Sequence, residues 1–167
     1  MPNARLRTAG VIGAATVLLG GCGGSVEGTP VAELWDPCSI PTATLIGAGI
    51  DPAPLSSETN LAGGIADAAF CSYATGSFEL TVYSFRSTSE ARLSPAEERD
   101  EIDVGGRRAT RFNRSITPTW VSCIVGFDAP SSSVELEARP DLITPSDENP
   151  CSVATELANL LLPQLPR

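Results

Sequence analysis

Cys22 closes the run Leu19-Gly20-Gly21-Cys22, and its thiol carries the clearest chemistry in this chain. The run follows a basic start with Arg5 and Arg7 and an apolar stretch from Val11 to Leu19. That layout has the proportions of an export signal and is too short for a membrane span, which needs ~20 apolar residues. Gly20 and Gly21 are small enough to enter a signal peptidase site. The expectation is cleavage before Cys22 and acylation of its sulfur, giving a lipoprotein with palmitate-type chains. Buried methylenes contribute ~0.8 kcal/mol each, so two chains hold firmly where one holds weakly. The two arginines are not adjacent, so no twin-Arg signal is indicated.

Four further cysteines follow: Cys38, Cys71, Cys123 and Cys151. An even number in an exported domain argues for two disulfides. A four-thiolate zinc site would show cysteines paired a few residues apart, and these are widely scattered. No Cys-x-x-Cys occurs, which argues against a redox-active pair. Three pairings are open. Cys71 and Cys123 both fall in expected strands, and a bridge between neighbouring strands would clamp a sheet. Cys38 and Cys151 each follow an Asx-Pro pair and open a helix. The favoured pairing is therefore Cys71–Cys123 with Cys38–Cys151.

The chain has no histidine. This removes Ser-His-Asp and Cys-His catalysis and the zinc sites that use imidazole. No catalytic residue, cofactor loop or metal motif is read, so no cofactor is expected. Carboxylates alone can do acid–base work, as in glycosidases, but among 20 acidic residues nothing singles out a pair. Arg107, Arg108, Arg111 and Arg114 form a local basic cluster that could hold an anionic ligand. The simpler reading is a solvated strand face paired with nearby acids. Glu97, Glu98, Asp100, Glu101 and Asp103 lack EF-hand spacing and read as an exposed helix end. Trp35 and Trp120 read as core or edge packing.

These residues need a scaffold, and the sequence divides simply. Residues 1–21 read as a lipoprotein signal peptide, 22–34 as a flexible tether and 35–167 as a single domain. Removing the signal leaves 146 residues (167 less 21), enough for one core. All 11 cations are arginine; nine remain against 20 acids, a net charge of −11. Nucleic acid is an unsuitable partner for such a surface. Anionic headgroups would repel it, so membrane attachment falls to the acyl chains on Cys22. The tether's Gly-rich, polar stretch from Gly23 to Glu33 spans roughly 35–40 Å when extended.

A short helix is expected over Pro41 to Ile46, stopped by Gly47 and Gly49, and Asp51 to Gly64 reads as a loop. Strands are expected at Cys71–Thr75 and Ser77–Phe85, the second with Phe78, Leu80 and Val82 alternating with Glu79, Thr81 and Tyr83. Thr88 to Glu101 reads as partly helical, with capping-box spacing at Ser87/Glu90 and Ser94/Glu97. Three more strands follow at Arg107–Arg114, Trp120–Phe127 and Val134–Arg139. A last helix runs from Cys151 to about Leu162, capped by Asn149 and Pro150, with Val153, Leu157, Leu160 and Leu161 on one stripe. The order predicts an α+β domain: an antiparallel sheet of about five strands with helices on one face, braced by disulfides.

With these elements in place, Trp35-Asp36-Pro37-Cys38-Ser39, Cys71-Ser72-Tyr73, Val104-Gly105-Gly106, Cys123 and Asn149-Pro150-Cys151 resemble the mycobacterial-type actinobacterial lipoproteins grouped as domain of unknown function family 3558. The resemblance covers about Trp35 to Leu162, with Tyr73 where the family more often has Trp and Asn149 where it more often has Asp. It implies a cell-envelope location and no established activity. The expectation is a lipid-anchored protein of the cell membrane, facing outside the cytoplasm. It would be a non-enzymatic binding or accessory module for an envelope protein, a lipid or a small ligand. The alternatives are a carboxylate-based envelope hydrolase and a purely structural component. Two close, buried carboxylates in a pocket would favour the hydrolase, and an apolar groove without them would favour binding.

Overall fold

The computed structural model describes residues 34–59, 68–92, 98–117, 120–144 and 146–167. The signal peptide, Cys22, most of the tether and the Ser94/Glu97 pair lie outside the described residues. The domain is α+β, as its residue pattern predicts. Its centre is one antiparallel sheet of seven strands: β1 (Pro54–Thr59), β2 (Ala68–Thr75), β3 (Phe78–Phe85), β4 (Arg99–Val104), β5 (Arg107–Thr117), β6 (Trp120–Ala129) and β7 (Ser132–Pro140). Their order is β1-β2-β3-β7-β6-β5-β4. Two meanders, β1–β3 and β4–β7, thus join where β3 pairs with β7.

Period-2 alternation gives the sheet two faces. One carries Tyr73, Leu80, Val82, Val125, Phe127, Leu136 and Ala138, all buried. Against this face pack helix α1 (Thr42–Gly47) through Leu45, and helix α3 (Pro150–Leu161) through Ala154, Leu157, Ala158 and Leu161. The buried stripe of α3 is shifted from the expected one, since Leu160 is exposed and two alanines take the contact. Small side chains let the helix axis approach the sheet closely, so they supply the interface that larger residues would otherwise mark. The single turn α2 (Ser89–Arg92) meets the opposite face, where the Ser89 hydroxyl reaches Glu135.

The sheet has two strands more than the expected five, and both are edges. β1 replaces part of a loop, and β4 replaces the end of a helix. β4 reads Arg-Asp-Glu-Ile-Asp-Val; only Ile102 and Val104 turn to the core, beside Ala109 and Arg107 of β5. The acids at 100, 101 and 103 are therefore an exposed strand edge, not a helix end. Charges and polar residues on edges are how sheets resist pairing with other chains.

The two disulfides are Cys38–Cys71 and Cys123–Cys151, with Cα–Cα distances of 5.3 and 4.9 Å. The expected partners are corrected. Cys71 on β2 and Cys123 on β6 are separated by β3 and β7; at ~4.8 Å per strand they stand about 14 Å apart, twice what a bridge can span. Each sheet cysteine instead takes the helix-opening cysteine above it. Cys38 lies in a single 3-10 turn, Pro37–Ser39, ahead of α1, and this turn and α3 start with one device. The side chains of Asp36 and Asn149 accept the backbone N–H of Cys38 and Cys151 at 2.9 and 2.8 Å, with Pro37 and Pro150 between. Tyr73 fixes the first start further by donating to the Pro37 carbonyl at 3.1 Å.

Candidate functional site

The second face of the sheet carries the chain's buried carboxylates. Glu135 and Glu137 stand two residues apart on β7, on one face, and are 2% and 6% exposed. Glu137 accepts from the Ser122 hydroxyl at 2.5 Å, the Tyr83 hydroxyl at 3.2 Å and the Arg114 guanidinium at 3.2 Å. Glu135 accepts from the Ser89 hydroxyl at 3.2 Å. Gly126 makes room for that contact, since a Cβ there would stand 3.1 Å from the Ser89 oxygen. Around them, Ser72 and Thr81 share a hydrogen bond, and Arg139 pairs with Glu79 beneath the Trp120 ring. Phe70, Tyr83 and Phe85 form a line of rings.

Burial pushes the Tyr83 hydroxyl up to about 12, and the neighbouring Glu137 charge adds to the rise. Tyr83 therefore stays protonated as a donor. At Arg139, burial opposes the charge, but the hydrogen bond and charge of Glu79 outweigh it and raise the value. Among the described residues no buried side-chain oxygen or nitrogen lacks a partner. The two glutamates thus act as acceptors that knit β3, β6, β7 and the start of α2 together. Sequence reading does not single these two glutamates out among the 20 acids, because acids that alternate with apolar residues in a strand carry no mark of burial. The signal that marks them is the set of hydroxyls at Ser72, Thr81, Tyr83 and Ser122, which share that face only once the strand order is known.

The arginine cluster is split by the same alternation. Arg107 and Arg111 turn toward the helix face, Arg108 and Arg114 toward the other. Arg111 pairs with Asp100 at 3.0 Å and Arg114 with Glu137, as a paired strand face would. Arg107 has no carboxylate partner among the described residues. Its guanidinium lies 4.8 Å from the centre of the Phe127 ring and donates to the Pro166 carbonyl at 2.6 Å. Burial lowers its pKa, and the nearby Arg167 charge lowers it further.

Arg107 and Arg167 line a cleft of about 700 Å³ between the β4–β5 hairpin and the chain after α3, together with Pro130, Leu162, Pro163 and Leu165. Gly105 allows this closeness. Its φ is +59°, and a Cβ there would fall 2.8 Å from Leu162. Neither Glu135 nor Glu137 lines this cleft. Trp35 packs against the core, and Trp120 donates to the Pro140 carbonyl at the sheet's end. Among the described residues no group of three Cys, Asp or Glu side chains is placed to hold a metal, and no helix is long and apolar enough to cross a membrane.

Two disulfides form and persist in oxidising compartments, which indicates an extracytoplasmic location for the domain. Comparison with curated proteins and with solved structures finds no match. The model of a family described as "Protein of unknown function (DUF3558)" matches residues 17–164.

Proposed function

We propose, from the premise that this chain belongs to the DUF3558 family, that it is an acylated cell-envelope lipoprotein working as a binding or accessory module rather than an enzyme. Acyl chains on Cys22 hold it to the membrane facing outside the cytoplasm, and the tether lets the domain stand clear of the bilayer surface. The observation that carries the binding reading is the half-apolar cleft beside an arginine with no carboxylate partner among the described residues. Such a cleft offers shape and charge to a ligand at little cost in reorganisation.

Glu135 and Glu137 are the observation that favours a carboxylate hydrolase. Against it, both are almost fully buried, and every described hydrogen bond they make is to the fold itself. A general acid or base must come within hydrogen-bond reach of its substrate.

The test has two arms. The mass of the N-terminal peptide from the native membrane fraction should show a diacylglyceryl Cys22, and Cys22→Ala should release the domain or leave the precursor. An unmodified Cys22 thiol would sink the anchoring claim. Crosslinking in intact cells, read by mass spectrometry, should return the same neighbour or ligand in repeated captures. Reproducibly empty captures would favour a purely structural component.

A further inference from the structure

The protein is acidic overall, at −9 for the whole chain, yet one cleft concentrates two guanidiniums. Asp128 carries the only acidic side chain among its lining residues, and it is already engaged by the Ser89 backbone N–H at 2.7 Å. Arg107 is held in place on one side by the Phe127 ring and at one nitrogen by the Pro166 carbonyl. A stacked, planar guanidinium with donors to spare is prearranged for a carboxylate or phosphate. The mutual repulsion of Arg107 and Arg167 is relieved when an anion enters. The remaining wall, with Leu162, Pro163, Leu165 and Pro130, is apolar.

We propose that this cleft binds a single-chain amphiphile with an anionic head, the head on Arg107 and Arg167 and the tail along Leu162, Pro163 and Pro130. This deepens the binding-module reading and rests on it. The charge selects the head, and burial of the tail supplies most of the affinity.

The test uses the purified full chain and three monomeric probes in calorimetric titration: decanoate, decyl phosphate and decanol. At least one anion should bind, with decanol roughly tenfold or more weaker, the worth of a charge-assisted hydrogen bond. Decanoate alone assigns a fatty-acid-like ligand, and decyl phosphate alone a phospholipid-like one. Arg107→Gln and Arg167→Gln should each weaken the anion roughly tenfold and leave decanol unchanged. Arg107 also ties down Pro166, so Arg167→Gln, on an exposed residue, carries the test if Arg107→Gln lowers the melting temperature.

The proposal is overturned if neither anion binds, if decanol binds as tightly as they do, or if Arg167→Gln binds the anions like the wild type. A reproducible crosslinked protein neighbour without amphiphile binding would remove the cleft assignment and keep the binding-module reading. Empty captures together with no amphiphile binding would remove both.

Discussion

Tyr83 and Tyr73 are the only tyrosines in the chain, and both hydroxyls are harder to ionise than an exposed phenol. For Tyr83 the main cause is burial, with Glu137 adding its charge; for Tyr73 it is burial, with Asp36 adding. Folding therefore favours the protonated form of each. That contribution is fully present below the unfolded value near pH 10 and is lost as pH rises through the folded value, about 12 for Tyr83. Two units are worth about 3 kcal/mol at most. A spectrophotometric titration of the native protein should show less tyrosinate at pH 10.5 than two exposed phenols would give, with Tyr83 ionising only near pH 12 or as the fold opens. A normal step near pH 10 while the fold persists would contradict the buried hydroxyls. The glutamate that Tyr83 faces shows why sequence alone missed this layer. Each acceptor comes from one strand and its donors from others, so the cluster exists only in the assembled sheet.

At the scale of elements, the central strands were legible because their apolar residues alternate over six or more positions, as in β3, β6 and β7. The edges were not. β1 begins at Pro54 and reads Pro-Leu-Ser-Ser-Glu-Thr, and β4 hides two inward apolar residues among three acids and an arginine. A strand with one neighbour needs little apolar surface, so its pattern fades. The Asx-Pro-Cys starts were also legible, but their partners were not, because pairing depends on which strand lies under each helix. In the sequence the basic cluster reads as one solvated strand face paired with acids; the split of Arg107 and Arg111 from Arg108 and Arg114, and the isolation of Arg107 from the acids, needed the register. The corrected pairing has a direct check. Proteolysis without reduction should release one linked peptide pair containing Cys38 and Cys71 and another containing Cys123 and Cys151. A linked Cys71–Cys123 peptide would refute the strand order itself, since β3 and β7 lie between those cysteines.

Seen whole, the molecule is two meanders, each clipped to its own helix start. Cys38–Cys71 serves β1–β3 and Cys123–Cys151 serves β4–β7, while the β3–β7 ladder from Phe78↔Pro140 to Phe85↔Ser133 joins the halves without a disulfide of its own. The closed loops have sequence separations of 33 and 28, and loops of that size stabilise by about 3–4 kcal/mol each through the unfolded chain. A domain of this length has roughly 5–15 kcal/mol in total. One clip is therefore dispensable for folding and two together are not comfortably so. Replacing Cys38 and Cys71 together by serine should lower the melting temperature by about 10 °C. It should also speed amide exchange over Pro37–Gly47 while β3, β6 and β7 stay protected. The matching Cys123/Cys151 double variant should loosen the start of α3 instead, and the chain lacking both clips should melt near ambient temperature. If either double variant lost protection across the whole sheet, the clips would be holding the β3–β7 seam closed, and the division of labour between covalent clips and the buried ladder would be wrong.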